Sequence, residues 1–178
     1  MNKFIVSTSF MLLIVFLLSS CESPDPNVGT TGKDELKTLE IDHAIPKSEQ
    51  KFKDVVYVPI YSDIYLDQQN QNLLLSATLS IRNTSYEDSL FVSKIDYFNT
   101  AGTLVRSYIE NSISLPPMAT VNYVIEQNDN TGGHGANFIV GLSARNKDVK
   151  PLIQAVMIGQ NVNKSFAFST DGYSIMKK

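Results

Sequence analysis

The sequence predicts an all-β protein, an immunoglobulin-like antiparallel β-sandwich of about seven to eight strands. Between Lys53 and Ile175, short runs of β-branched and aromatic residues alternate with turn residues, which is the pattern of strands and their connections. No apolar spacing of three and four residues continues there over about ten residues, as an amphipathic helix requires. A sandwich is favoured over a closed barrel because the runs differ in length.

The first element along the chain is an export signal over residues 1–20. A positive charge at Lys3 precedes an apolar run from Phe10 to Leu18, and small residues follow, which is the order of a secretory signal peptide. The apolar run is shorter than the roughly 20 residues that span a bilayer, and no second such run follows. No integral membrane domain is therefore expected.

The signal ends in a lipobox. Residues Leu18-Ser19-Ser20-Cys21 match the motif at which signal peptidase II cuts before a cysteine that carries diacylglycerol. Cys21 is the only cysteine of the chain and cannot form an intramolecular disulfide. Several acyl chains, palmitate among them, would give stable anchoring. The alternative is an ordinary secretory signal with a cysteine near its cleavage site.

The lipidated cysteine begins a flexible tether over residues 21–51, which is rich in Pro, Asp, Asn, Gly, Thr, Lys and Glu. A lipid anchor and a tether predict a protein of the cell envelope, on the periplasmic or outer-membrane face. Glu22, rather than an aspartate, follows the cysteine, and this favours the outer membrane.

The mature chain is mildly acidic and is not expected to bind nucleic acid. Removing residues 1–20 leaves 14 basic residues, one fewer than the 15 of the whole chain, against 18 acidic ones, a net charge of −4. No basic run or aromatic-plus-arginine stripe is present, so the electrostatic footprint of a nucleic-acid binder is missing.

The β-domain is predicted to occupy residues 52–178, a typical size for one domain, and its clearest strand is Leu73 to Arg82. Apolar residues alternate there with polar ones, so one face belongs in a core; that face comprises Leu73, Leu75, Ala77, Leu79 and Ile81. The next run, Leu90 to Phe98, leads through residues 99–102 into Thr103 to Ile109. Gly102 can adopt the positive φ that such a loop needs, so a β-hairpin is expected.

Four further strands are predicted after Pro116-Pro117. The first is Ala119 to Glu126. Apolar Val121, Tyr123 and Ile125 lie on one face of this strand, and Asn122 and Val124 lie on the other. The other three are Asn137 to Leu142, Ile153 to Ile158 and Ser165 to Phe168.

These segments, in this order, resemble a family of exported bacterial proteins known as domain of unknown function 3124. The similarity covers about Val56 to Ile175 and is carried by Tyr57-Val58-Pro59-Ile60-Tyr61-Ser62, Thr78-Leu79-Ser80-Ile81-Arg82-Asn83-Thr84, Asp96-Tyr97-Phe98, Gly102-Thr103-Leu104-Val105-Arg106, Gly132-Gly133-His134-Gly135-Ala136-Asn137-Phe138-Ile139-Val140 and Ala155-Val156-Met157-Ile158-Gly159. The resemblance implies domain boundaries but no activity, cofactor or catalytic residue.

The densest unusual motif is the loop Gly132–Asn137, in which three glycines in four positions permit backbone conformations closed to other residues. One hypothesis is a backbone nest that binds an anion or a ligand carboxylate, with ligand contacts from Asp129, Gly133, His134, Gly135 and Asn137. The loop lacks the Gly-Lys-Ser/Thr ending of a phosphate-binding P-loop. The favoured alternative is a tight interstrand connection in which Asn137 satisfies loop backbone groups.

No metal or other cofactor is expected. Asn128-Asp129-Asn130 offers oxygen ligands, but no glutamate stands at the twelfth position of a loop that begins at Asp129, so a turn is favoured over a calcium site. The two histidines, His43 and His134, are too few within one folded domain for a multi-histidine zinc or copper site.

Enzymatic activity is not expected either. His134 could act as a base with Asp129 or Asp96, but no serine lies in a Gly-x-Ser-x-Gly elbow. Asp96, Arg106 and Glu126 lie on predicted strands, where a carboxylate pair could hydrolyse glycosides, although such charges more often pair across strands. The tyrosines of the domain could stack on sugars or peptides, but core packing with the hydroxyl at the edge is favoured.

The sequence therefore predicts a non-enzymatic, membrane-anchored module that binds another envelope component, a protein, and that contacts the lipid bilayer through acylated Cys21. The alternative function is a small-ligand receptor that uses the Gly132–Asn137 loop.

Overall fold

The computed structural model describes residues 38–41, 44–65, 72–161 and 164–176, which lie in the compact unit Gly32–Lys178. The predicted export signal, Cys21 and His43 lie outside the described residues. A 3-10 turn at Lys47–Glu49 precedes β1 (Phe52–Pro59), β2 (Asp63–Tyr65), β3 (Asn72–Arg82), β4 (Leu90–Phe98), β5 (Leu104–Ser107), β6 (Ile113–Leu115), β7 (Thr120–Ile125), β8 (Asn137–Ala144), β9 (Leu152–Asn161), β10 (Lys164–Asp171) and β11 (Tyr173–Ser174).

These strands form two antiparallel sheets that pack against each other. The first sheet has the order β11-β1-β8-β4-β5, with β6 also beside β4. The second has the order β10-β9-β3-β2, with β7 also beside β3. The predicted all-β sandwich is therefore confirmed.

The strand count is higher than predicted. The seven strands read from the sequence correspond to β3, β4, β5, β7, β8, β9 and β10, while β1, β2, β6 and β11 were not identified individually. Three of these four are short, because β2 and β6 have three residues each and β11 has two. A run of this length is too short to display the alternation by which strands are recognised.

The core lies between the sheets and is supplied by alternate residues of the strands. In β3 the predicted inward face is confirmed, since Leu73 to Ile81 are buried at every second position. The paired strand β7 buries Val121, Tyr123 and Ile125 and exposes the residues between them. The first sheet faces them with Tyr97, Phe138, Val140 and Leu142, all at most 2% exposed.

The predicted hairpin joins β4 to β5. Gly102 has φ of 75°, as the turn requires, and its N–H donates to the carbonyl of Asn99 at 2.9 Å. The side-chain oxygen of Asn99 accepts hydrogen bonds from the N–H groups of Ala101 and Thr103 at 3.0 and 2.9 Å. The loop therefore stabilises its own backbone.

Two of the six connections that join described strands of the two sheets are short corners. Residues 60–62 lead from β1 in the first sheet to β2 in the second. Near the C-terminus, Gly172 leads from β10 back to β11 beside β1, and its N–H donates to the carbonyl of Ile153 at 2.8 Å. A Cβ at this glycine would lie 2.6 Å from Cγ1 of Val56, so only glycine fits the corner.

Part of the segment that the sequence assigns to the tether contacts the sandwich. Glu40 forms an isolated bridge with Ile113 of β6, and Ile45 is 5% exposed. The N–H of Lys51 donates to the carbonyl of Ala144 at 3.0 Å. This segment has few apolar residues, but those it has pack against the core next to β6 and β8. Among the described residues, no helix is long and apolar enough to cross a membrane.

Candidate functional site

Three connections between strands meet at one end of the sandwich: residues 60–62, residues 99–103 and residues 126–136. They meet because Pro59 and Phe98, at the ends of β1 and β4, both pair with Asn137 at the start of β8. Backbone hydrogen bonds join the connections. The N–H of Ile60 donates to the carbonyl of Ala136 at 3.0 Å, that of Ser62 to Gly133 at 3.2 Å, and that of Thr100 to Gly132 at 2.8 Å.

Gly132 lies in the most crowded part of this junction. The hydroxyl groups of Ser62 and Tyr97 share a hydrogen bond of 2.9 Å, and both residues have 0% exposure. A Cβ added at Gly132 would overlap the Tyr97 hydroxyl and lie 2.8 Å from the Cβ of Ala136. Only a glycine lets the backbone approach the Tyr97 and Ser62 hydroxyl groups this closely. Close packing of the loop backbone is what the favoured interpretation of the loop predicted.

Thr100 satisfies the backbone of the glycine loop. Its hydroxyl donates to the carbonyl of Gly132 at 2.9 Å and accepts from the N–H of Gly135 at 2.9 Å, and Gly133, with φ of 73°, faces the same side chain. The sequence assigned this role to Asn137, which instead begins β8. The reason is that the hairpin after β4 brings Thr100 next to the loop, a contact between distant parts of the chain.

His134 forms a polar and aromatic cluster with two residues of β2. Its Nδ1 contacts Oδ1 of Asp63, and within the described ranges both atoms are buried and neither has a hydrogen-bond partner. The imidazole also packs on the ring of Tyr65, with a centroid distance of 4.0 Å and an interplanar angle of 34°. Asp63 is 5% exposed and Tyr65 55%, and the His134 side chain is 33% exposed. We call these three residues the Tyr65–His134 cluster.

The acid beside His134 is thus Asp63, and the sequence-based choice of Asp129 or Asp96 was wrong. Asp63 pairs with Leu74 and Tyr65 with Asn72 across a strand of three residues. Their spacing of two puts both side chains on one side of the strand. The sequence did not indicate this partner because so short a strand leaves no periodic signal.

The two rejected acids have other partners. Oδ1 of Asp96 accepts from the Ser107 hydroxyl at 2.7 Å, and Oδ2 lies 3.3 Å from Nζ of Lys94. The charge of Asp96 is thus paired within its own strand, and its cross-strand partner is a serine and not the opposite charge that was predicted. Oδ1 of Asp129 accepts from the N–H of Thr131 at 3.1 Å, and Oδ2 lies 3.9 Å from Arg106. In the described ranges, no group of three or more His, Cys, Asp or Glu side chains could hold a metal ion.

Beside the junction, four aromatic rings fill the space between the sheets: Tyr97, Tyr108, Tyr123 and Phe138. Tyr108 and Tyr123 are closest, with ring centroids 3.7 Å apart, and Phe138 lies 5.5 Å from Tyr97. Burial raises the pKa of Tyr97, Tyr108 and Tyr123 above the ordinary value of tyrosine. For these residues core packing, the favoured interpretation of the tyrosines, is what the structure shows.

The reactions that the cluster could support depend on which of its atoms are exposed to solvent. A histidine paired with a carboxylate can activate a hydroxyl group within hydrogen-bond reach. Ser62, next to Asp63 in the chain, is fully buried, and its hydroxyl is bonded to that of Tyr97. The accessible parts of the cluster are the Tyr65 and His134 rings, an arrangement suited to binding.

A second candidate surface lies on the outer face of the second sheet. Val156 of β9 and Val124 of β7 flank Thr78 of β3 in one cross-strand row, and Ile158 lies opposite Ser76 in the next. Val124, Val156 and Ile158 are 52%, 39% and 51% exposed. On β10 the rows continue into Ser169 and Ala167, so neither row contains a charged residue. We call Val124, Val156 and Ile158 the apolar strip.

Comparison with known proteins gives one family match. A family model described as "Protein of unknown function (DUF3124)" matches residues 53–175. No curated protein matches the chain. Among solved structures, the crystal structure of Thermotoga maritima 1070 is similar, with a TM-score of 0.44 and 14% identity over 67% of this chain and 92% of that chain.

Proposed function

Because the chain belongs to the DUF3124 family, which is described as having unknown function, we propose a role from the features of the molecule itself: a non-enzymatic binding module of the bacterial cell envelope. Lipidated Cys21 anchors the module in the bilayer, on the periplasmic or outer-membrane face. The partner is another envelope protein, which docks on the apolar strip.

The apolar strip is the observation that carries this proposal. Single exposed apolar residues are common on protein surfaces, but adjacent ones within a polar rim mark interaction sites. Here the cross-strand register brings Val124, Val156 and Ile158 into two neighbouring rows. The surrounding residues are small or uncharged and include Ser76, Thr78 and Ser169. A face of this kind favours a protein surface over a nucleic acid or an ion.

The buried state of Ser62 supports a role in binding rather than in catalysis. A nucleophile has to reach the substrate, and the serine adjacent to the Asp63–His134 pair has 0% exposure. The lipid anchor is supported by the sequence Leu18-Ser19-Ser20-Cys21 and by the use of the chain's one cysteine in it.

Affinity capture from the native envelope tests this function. The full chain carries an affinity tag at its C-terminus and is purified under mild detergent from cells that naturally produce it, in parallel with Ile158→Lys and with Tyr86→Lys as a matched control. Tyr86 is 84% exposed and lies outside the strip. We expect a protein that the wild type and the Tyr86 variant retain and the Ile158 variant loses. Equal recovery with all three chains would refute docking on the strip.

A second candidate function, a receptor for a small ligand, is favoured by the Tyr65–His134 cluster. It combines two accessible rings with a buried carboxylate beside the glycine loop. Ligand pockets commonly combine apolar surface with a few fixed polar groups. A thermal-shift screen of the full chain against metal ions, sugars, peptides and anions tests this function. A ligand that binds the cluster should raise the thermal midpoint of the wild type, and this rise must disappear in Tyr65→Ala.

A further inference from the structure

We propose that the Tyr65–His134 cluster binds an uncharged saccharide, with a pyranose ring packed on Tyr65 and a hydroxyl group bonded to His134. This inference rests on the second candidate function, the small-ligand receptor, and names the chemical class of its ligand. It is independent of the apolar strip and of the protein partner proposed there.

The first argument is the accessible aromatic surface. Tyr65 is 55% exposed although its ring is held in place against the His134 imidazole, 4.0 Å away between centroids. One face of a pyranose ring consists of C–H groups, which carry a slight positive charge and pack well on the negative face of an aromatic ring. An aromatic residue that is exposed and yet positioned is suited to this contact, because little freedom remains to be lost on binding.

The second argument is which ring nitrogen of His134 remains for a ligand. The Asp63 carboxylate contacts Nδ1, and a neighbouring carboxylate favours a proton on that ring nitrogen. The remaining ring nitrogen, Nε2, accepts a hydrogen bond in the neutral imidazole and donates one in the imidazolium. A hydroxyl group is both donor and acceptor, so it can bond to Nε2 in either state. A carboxylate or phosphate oxygen could bond only to the imidazolium.

The third argument is the balance of charge around the cluster. The carboxylate of Asp63 is only 8% exposed and is already in contact with His134, so it is not available to a ligand ammonium group. In the neighbouring loop, Asp129 is paired with Arg106 at 3.9 Å. Since both carboxylates have a partner, neither of these described groups offers a free counter-charge to a ligand, and an uncharged, hydroxyl-rich ligand fits them best.

Calorimetric titration of the full chain in mild detergent tests the inference. The neutral probes are N-acetylglucosamine and maltose, and the charged probes are glucuronate and glucosamine. Each is titrated into the wild type, Tyr65→Ala, Tyr65→Phe and a matched control, Tyr173→Ala, which removes another tyrosine of similar exposure, 56%.

We expect saturable binding of at least one neutral probe. Affinity should fall on the order of tenfold in Tyr65→Ala, because the stacking surface is lost, and should be retained in Tyr65→Phe and Tyr173→Ala. No binding of either neutral probe, or equal binding in Tyr65→Ala, would overturn the inference. Tighter, Tyr65-dependent binding of glucuronate or glucosamine would overturn the uncharged class while leaving the receptor function in place. The receptor function itself fails only if the broader thermal-shift screen is also silent.

Discussion

The carboxylate of Asp63 contacts Nδ1 of His134, although one residue lies on a strand and the other in a distant loop. Asp63 lies on a three-residue strand at the edge of the second sheet, and His134 lies in the glycine loop that leads into β8 of the first sheet. Their contact fastens the loop to the edge strand and positions the His134 ring against Tyr65. We therefore expect this pair to contribute to the stability of this end of the sandwich and to the position of the accessible rings.

The first prediction concerns that pair. Replacing His134 with alanine leaves the buried Asp63 carboxylate without its partner, and we expect the free energy of unfolding to fall by about 1–3 kcal/mol. Adding Asp63→Ala to this variant should restore part of the loss, because no unpaired charge then remains buried. Urea unfolding of the two single variants and the double variant measures the interaction. Additive losses would show that the two side chains do not stabilise each other.

The second prediction compares two glycines of the same loop. In Gly132→Ala the new methyl group would overlap the Tyr97 hydroxyl, whereas in Gly135→Ala the nearest atom is Cγ2 of Thr100 at 3.4 Å. Overpacking of this kind costs about 1–3 kcal/mol, so Gly132→Ala should lower the thermal midpoint clearly and Gly135→Ala much less. Calorimetric melting of both variants tests this, and equal shifts would contradict the close packing described for Gly132.

The third prediction concerns alkaline pH. Burial raises the pKa of Tyr97, Tyr108 and Tyr123, whereas in the unfolded chain these groups ionise near the ordinary value of about 10. Above that pH the unfolded state binds fewer protons than the folded state, so stability that is complete below about pH 10 is lost as the pH rises towards the raised values.

Urea unfolding at a series of pH values, with tyrosinate absorbance followed in parallel, measures this effect. Tyr108→Phe should make the alkaline loss of stability shallower, because one buried group no longer ionises. Stability that stays constant well above about pH 10 would show that these tyrosines are not buried as described.

The fold class could be predicted from the sequence because long strands carry their own signal. Leu73 to Ile81 alternates over enough residues to fix a buried face, and the position of Gly102 identifies the hairpin turn. The short strands β2, β6 and β11 could not be predicted, because a strand of two or three residues is defined by its neighbour in the sheet and not by its own pattern.

The sequence located the glycine loop of the candidate site but did not indicate which residues contact it. The density of glycines marked the loop, and close packing at Gly132 explains one of them. The partners of the loop come from elsewhere in the chain: Asp63 and Tyr65 from β2, and Thr100 from the β4–β5 hairpin. Such contacts depend on register and on crossing between the sheets, which a single sequence does not reveal. The apolar strip was missed for the same reason, since it is built from three strands.

The fourth prediction concerns the anchor. In Cys21→Ser the acceptor of the lipid is removed, so the N-terminal peptide should carry no acyl chain and the signal should stay uncleaved, because signal peptidase II cuts before a cysteine that carries the lipid. Mass spectrometry of the N-terminal peptide measures this. Ser20→Ala, which keeps a small residue before the cysteine, is the control and should stay lipidated. A wild-type N-terminal peptide without acyl chains, or the same cleaved N-terminus in Cys21→Ser, would argue against the lipid anchor.

The binding role is tested most directly by photo-crosslinking in intact cells. A photoreactive amino acid replaces Ile158 in the full chain, expressed at its natural level, and a second chain carries it in place of Tyr86 as a control. Substitution at either exposed position should change stability by less than about 0.5 kcal/mol. We predict a discrete adduct with one envelope protein from position 158 and none from position 86. No adduct from position 158, or the same adducts from both positions, would contradict docking on the apolar strip.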